Sequence, residues 1–532
     1  MSLSQIVDIS VVVGYLVFVT AVGIWFGRRH SATTEGYFLG DRQFSWAMVG
    51  FSLFATNINM QFFVGGTGKA YKIGVAALTP ELLGGLGLAL SAIIFIPLYL
   101  RTSITTLPQF LERRFNRWAK IFYGSVFLVM MAISMPLGMF TGSLAVLSLF
   151  QFEISPTNIY IISAIMACTV GLYAVVGGLA AVVVTDMIQV VIVIAAGLLV
   201  AVLGVSAVGG LPALLSALPA DNLELLRPHD DPEFPWSAML TGQLLASCIW
   251  GFSSISMLQR VLGARSLDHA QKGMLLGAGL KMLGLALFVI PGMVAAQLYP
   301  GIAPDTAFSV LTRELLPMGL SGLVLAGLAA AMMSTQDSGI NAMASVVAID
   351  LYPTFRKNAS EREGFLVGKG IAVAGIIWGV AVAPVFLATQ QGIFDLMLKF
   401  GGFLMLPNGL CYVFGRFWKR GTHHGCIATL ACGTTVGLYY SVASTLPGYE
   451  VYLPDFALSM HYYHLLGLFG MLLACVFVIV SLLNDPPAQE KIDFIKANSP
   501  IAEASSERPW YRAFGFWWML YIIAFFGMYL VF

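Results

Sequence analysis

Long apolar blocks recur along the chain, separated by short polar or charged turns. Each is close to the roughly 20 residues that an α-helix needs to cross a bilayer. The pattern predicts about fourteen spans, near residues 6–27, 46–70, 76–100, 118–148, 156–176, 180–206, 237–258, 272–298, 318–351, 366–389, 393–416, 424–445, 460–483 and 512–531. The first block is long enough to span, so it reads as a membrane helix and not as a cleavable leader. Asn484 to Tyr511 is polar and carries Pro486, Pro487, Pro500 and Pro509, which predicts a solvated linker before the last span. The expected fold is an all-α polytopic membrane protein, with one transmembrane domain over 1–532.

Two blocks break the pattern. In the second, the run from Phe54 to Gly68 (Phe-Ala-Thr-Asn-Ile-Asn-Met-Gln-Phe-Phe-Val-Gly-Gly-Thr-Gly) places amides, hydroxyls and glycines where a lipid-facing helix carries Leu and Val. Such backbone at membrane depth is tolerated only where protein shields it or where it lines a cavity. An interrupted helix is also the best sequence pointer to a transporter's binding site. Close helix packing through small residues is the competing explanation. The seventh block, Gln243 to Ser256, is likewise rich in small and hydroxyl residues. Two interrupted helices an odd number of spans apart run in opposite directions. That predicts a five-plus-five inverted repeat, 46–206 and 237–416, with 6–27 and 424–531 peripheral.

Charge fits a membrane setting. The chain is 58% hydrophobic and 10% charged, with a mean hydropathy of +0.83, whereas a soluble domain is roughly a quarter charged. A net charge of +1 gives no reason to expect a nucleic-acid partner. Most of the 28 lysines and arginines, among them Arg113, Arg114, Arg117, Arg260, Arg265, Arg356 and Arg420, fall in or beside alternate loops. Lys69, Lys72, Arg227 and Arg313 fall on the other side, so the positive-inside rule predicts both termini outside the cell membrane. Cys168, Cys248, Cys411, Cys426, Cys432 and Cys475 read as buried free thiols. The seven histidines form no HExxH-type pair, and no nucleophile stands at readable spacing from a base, so an enzyme is not expected. A sodium-gated sensor or channel is the remaining alternative class.

Five charges lie inside the predicted spans: Glu81, Asp186, Lys281, Asp337 and Lys399. Each costs several kcal/mol at the bilayer centre unless it is paired, and so marks a functional site by default. The alternatives are that Lys399 snorkels, that Asp186 is a structural hydrogen-bond partner and that Glu81 reaches water. Asp8, Asp350 and Asp395 sit at span ends, where water is close. The ninth span carries Ala331-Met332-Met333-Ser334-Thr335-Gln336-Asp337-Ser338, with Ser334 and Ser338 one helical turn apart. Hydroxyls together with carbonyls freed by a broken helix suit a hard cation such as sodium. Interhelical hydrogen bonding explains the same hydroxyls without an ion.

The run Gly177-Gly178-Leu179-Ala180-Ala181-Val182-Val183-Val184-Thr185-Asp186-Met187-Ile188-Gln189 resembles the signature of the sodium:solute symporters. So do Trp250-Gly251, the run Met257 to Ser266, and Ala270 to Gly273. Leu107 to Phe115 and the final apolar span are most similar to the sodium/sugar cotransporter branch. The resemblance implies a LeuT-like core and Na+ as coupling ion. It also implies a sodium site made of the carbonyls of Ala55, Ile58 and Ala331 and the hydroxyls of Ser334 and Thr335. A second sodium in some members matches Asp186, Ser334 and Ser338, with Asp337 here where those members carry Ser or Thr.

For the solute, the resemblance implies Glu81 and Lys281 as binding residues, with Asn57 and Gln61 on the broken helix beside them. Phe62, Ser253 and Lys399 stand where the sugar transporters carry amides. The implied function is sodium-coupled import of a small polar solute across the lipid bilayer, a monosaccharide or polyol. The extra cation leaves a carboxylated solute, such as a sugar acid or sialic acid, as the alternative. Glu81 and Lys281 pairing with each other is a further reading.

Overall fold

The computed structural model describes residues 3–30, 34–317, 319–388, 393–445, 448–496 and 513–532. Within them, helix covers each stretch that the hydropathy pattern marks, and there are no strands. Nine of these helices are long and apolar enough to cross a membrane, and the bent pair Trp236–Ser253 and Ile255–Leu262, 44° apart, makes a tenth.

The predicted spans 156–176 and 180–206 are not separated by a loop. They form one helical run, Pro156–Ala207, of 52 residues. At about 1.5 Å per residue that is over twice the roughly 30 Å hydrocarbon core. The run is kinked at Gly178, whose φ of 60° and ψ of −159° are open only to glycine, and so consists of two helices. A side chain there would meet the Tyr37 backbone, and Gly177 packs on Gly27 of the helix Leu3–His30. The Gly-Gly pair in the signature run therefore marks the break between two helices.

The two broken helices exchange partners. Trp46–Asn57 packs along Leu267–Leu280, while Leu244–Ser253 packs along Thr79–Ile94. Each broken helix thus lies against the helix that follows the other one, as two related halves would arrange themselves. Small residues set the spacing: Gly50 faces Leu276, Gly273 faces Val49, Gly87 faces Ser247 and Gly251 faces Gly87. Around this core, Leu320–Ser345 packs mainly on Pro156–Ala207, and Glu361–Val382 on Arg117–Leu149.

Three expectations about the periphery change. Asp350 is fully buried, accepting a hydrogen bond from Thr106 Oγ1 at 2.7 Å, because the helix Leu320–Ser345 continues as a π turn that folds the carboxylate inward. Asp8 is also buried, and its Oδ1 accepts from the amides of Gly319 and Gly322 at the start of Leu320–Ser345. Of the six free cysteines, only Cys411 and Cys426 are buried; Cys168, Cys432 and Cys475 lie on the outward faces of their helices. An apolar thiol costs little facing lipid, so hydropathy alone does not tell the two settings apart. The linker expected over 484–511 is described to residue 496, and there Phe494 packs on Phe110 while Lys491 reaches the Glu112 carbonyl. The Asp395 side chain lies outside the described residues.

Candidate functional site

Ser45 accepts from the Met48 amide and so starts the first broken helix, Trp46–Asn57. The helix stops because Ile58, at ψ 79°, leaves helical geometry. Asn59 then restarts it, its side-chain oxygen accepting from the Phe62 amide at 3.1 Å. The second broken helix stops at Ser254, ψ 112°. There Tyr99 and Tyr123 donate their phenols to the freed carbonyls of Phe252 and Ser253, at 3.0 and 2.8 Å. These bonds satisfy two backbone acceptors at a depth where water is scarce.

Between the breaks lies a cavity of about 270 Å³, at the small end of the roughly 300–1,000 Å³ usual for ligand pockets. Asn57, Gln61, Phe62, Glu81, Ser253, Lys281 and Thr335 all line it. Lys281 Nζ is 2.8 Å from Glu81 Oε2 and donates to Asn57 Oδ1 at 2.7 Å. Both charged side chains are almost wholly buried, at 2% and 1% exposure. The ammonium also lies 5.2 Å from the Trp250 ring and 6.0 Å from the Phe62 ring. Glu81 therefore does not reach out to water; it neutralises Lys281 in the cavity wall.

Lys399 is half-buried and is not part of this wall, although the next residues, Phe400, Gly401 and Gly402, are. The wall also holds amides and aromatics that the sequence does not assign to the solute, among them Gln243, Trp250, Gln336 and Asn408. Gln336 had a readable signal, since it sits in the polar run beside Thr335.

Four of the five expected sodium ligands, Ala55, Ala331, Ser334 and Thr335, lie close together beside this cavity. Ser334 Oγ lies 2.7 Å from the Ala55 carbonyl oxygen and 3.2 Å from that of Ala331. Thr335 Oγ1 is 3.2 Å from the Ala331 oxygen and 3.5 Å from that of Thr56. Ile58 occupies the break itself. An all-oxygen set of carbonyls and hydroxyls fits a hard monovalent cation.

One turn further along Leu320–Ser345 is a second polar cluster. Asp337 Oδ2 accepts from the Tyr173 phenol at 2.6 Å, and its Oδ1 is 3.1 Å from Ser338 Oγ. Asp186 Oδ2 is 3.2 Å from Arg260 Nη2, with both side chains fully buried. Arg260 also donates to Ser338 Oγ, to Ser52 Oγ and to the Ser256 carbonyl. Ser52 in turn donates to Asp186. Counted by sequence among the basic loop flanks, Arg260 is instead an interior residue. A helix face cannot be assigned from a single basic residue, and the only hint was a pair of interior carboxylates lacking a cation.

Residues 37–433 match the model of the sodium:solute symporter family. The chain belongs to that family. Its curated relatives include sodium/myo-inositol cotransporter 2 of Mus musculus, 29% identical over 552 residues, covering 94% of this chain and 81% of the relative. Sodium/glucose cotransporter 4 of Homo sapiens is 31% identical over 553 residues, covering 94% and 80%. Among solved structures, a Na+-coupled sialic acid symporter in a substrate-bound outward-open state superposes with a TM-score of 0.75 at 21% identity, covering 91% of this chain and 99% of that one. These two folds are the same, and the symporter's LeuT-like core is the architecture described above. The symporter is a multi-pass membrane protein and a transporter, not an enzyme.

Proposed function

We propose that this symporter couples sodium entry to import of a small, neutral, polyhydroxylated solute, a monosaccharide or polyol. The observation that carries the solute class is the Glu81–Lys281–Asn57 cluster in the cavity wall. Its charges cancel within 2.8 Å, so it offers both donors and acceptors to hydroxyl groups without holding a free charge for a carboxylate. The relatives named for myo-inositol and glucose support the same class. The carboxylated-solute reading rests on the missing amides at Phe62 and Ser253 and on Lys399; Lys399 stands off the wall, and the Na+-coupled sialic acid symporter of the same fold keeps that solute class as the second reading.

Sodium binds at Ala55, Ile58, Ala331, Ser334 and Thr335, and Thr335 also borders the solute cavity. Occupancy of that site draws the break of the first helix against Leu320–Ser345 and so sets the position of Asn57 and Lys281. The two halves, 46–206 and 237–416, then rock about the site to release both cargoes inward, with both termini outside. One charge crossing about 100 mV contributes ~2.3 kcal/mol and a tenfold sodium gradient ~1.4 kcal/mol. One sodium therefore sustains a roughly 500-fold gradient of neutral solute.

The test is sodium-gradient uptake of myo-inositol, D-glucose and N-acetylneuraminate by proteoliposomes. Neutral probes are expected to enter in a sodium-dependent, saturable manner, with selectivity unchanged in Lys399→Gln. Uptake of only the acid, lost in Lys399→Gln, would refute the neutral-solute reading. Sodium currents without saturable solute uptake would support the channel class instead.

A further inference from the structure

We infer that the cation position formed by Asp186 and Ser338 is filled by the protein's own Arg260, so that a single sodium accompanies each solute. The inference rests on the sodium-symport reading above. Its geometric basis is that the guanidinium already holds one carboxylate oxygen of Asp186 and the Ser338 hydroxyl. Nη2 is on Asp186 Oδ2 at 3.2 Å and on Ser338 Oγ. Nε is on Ser52 Oγ, and Nη1 is on the Ser256 carbonyl. Asp186, Arg260 and Ser52 are all at 0% exposure and Ser338 at 1%.

The other carboxylate does not reopen the site. Asp337 turns to the hydroxyls of Tyr173 and Ser338, and its link to Arg260 runs through Ser338. A guanidinium keeps its charge at any physiological pH and matches oxygen acceptors with a rigid fork of donors. It is also tethered, so it cannot be diluted away as a free ion can. A sodium entering beside it at about 4 Å would meet a like charge, which at an effective dielectric near 20 weakens binding on the order of a thousand-fold. The four partners come from four helices: Trp46–Asn57, Pro156–Ala207, Ile255–Leu262 and Leu320–Ser345. Arg260 thus gives the inner ends of both broken helices the cross-link that a second ion would otherwise supply.

The full-length protein tests this in two ways. Equilibrium binding of radioactive sodium to detergent-purified protein, without any solute, is expected to reach one ion per chain. Proteoliposomes taking up labelled myo-inositol or D-glucose under a clamped potential are expected to move one charge per solute, with a Hill coefficient of one for sodium. Two ions bound per chain, or two charges per solute, would overturn the inference while leaving the symport reading intact. No bound sodium would overturn both. If one ion binds but neither sugar enters, only the solute assignment fails.

The variant Arg260→Gln, once shown to be monodisperse and folded, is expected to expose the Asp186 oxygens and bind a second sodium. A folded Arg260→Gln protein that still binds one ion would count against the inference. If that variant does not fold, the wild-type binding stoichiometry decides alone.

Discussion

Replacing Lys281 with Met tests whether the Glu81 pair is a binding element or only internal neutralisation. The substitution leaves Glu81, at 1% exposure, without its cation partner at 2.8 Å. Removing one member of a buried ion pair costs about 3–5 kcal/mol, most of it from the charge left behind. The same change removes the bond that holds the Asn57 amide at 2.7 Å. A hydrogen bond to a charged group contributes about 1.5–3 kcal/mol, so loss of one such bond to the solute should raise KM by roughly ten- to a hundred-fold.

The double variant Glu81→Gln/Lys281→Met carries no buried charge, and its stability should return to within about 1–2 kcal/mol of the parent. Its KM for myo-inositol or D-glucose should stay high, because the solute's charged partners are gone. Unfolding midpoints in detergent and uptake kinetics in proteoliposomes read the two effects separately. A Lys281→Met protein as stable as the parent would show that the pair is not a coupled buried unit. A double variant that recovers uptake as well as stability would show that the pair does not touch solute.

Ser334→Ala together with Thr335→Ala removes two of the five proposed sodium ligands and should raise the sodium concentration for half-maximal uptake at least tenfold, about 1.4 kcal/mol; unchanged sodium activation in a folded protein would exclude them as ligands. Gly178→Ala should prevent folding or insertion, since its φ is 60° and the new Cβ would lie 2.5 Å from the Tyr37 carbonyl oxygen. Gly279→Ala, with nothing within 4 Å, should be neutral or stabilising by about 0.5–1 kcal/mol; expression and monodispersity of the two variants report the contrast. In the loop before the second broken helix, burial pushes the Asp231 carboxyl up. The Phe234 and Glu233 amides, at 2.7 and 2.9 Å, and Arg227 at 2.7 Å outweigh that effect and hold it below its ordinary value. A depressed folded value stabilises the loop above the unfolded carboxyl's pKa of about 3.9 and loses that contribution as pH falls through the folded one. Hydrogen exchange at Glu233 and Phe234 should therefore stay slow at neutral pH and accelerate only below about pH 4, and Asp231→Asn should abolish the dependence.

Much of this molecule was legible in one dimension. Hydropathy located the membrane helices because lipid requires each span to satisfy its own backbone with an apolar exterior, which leaves a block of fixed length in the sequence. The breaks at Ile58 and Ser254 were legible for the converse reason, since amides and hydroxyls at that depth need a cavity. Ala55 and Ser334 were assigned by resemblance, and the fold brings the Ser334 hydroxyl within hydrogen-bond distance of the Ala55 carbonyl.

Pairing was legible only in part. The sequence offered Lys281 meeting Glu81 as one reading among several, and the fold selects it; that Lys399 stands off the wall depends on how helices far apart in the chain rotate against each other. Arg260 shows the limit most clearly. In the sequence it is one more basic residue near a span end, counted with the cytoplasmic flanks. In the fold the short helix Ile255–Leu262 turns it inward to Asp186, 74 positions away. A charge's cost in the membrane is set by its nearest opposite charge, and only the tertiary structure decides which charge that is.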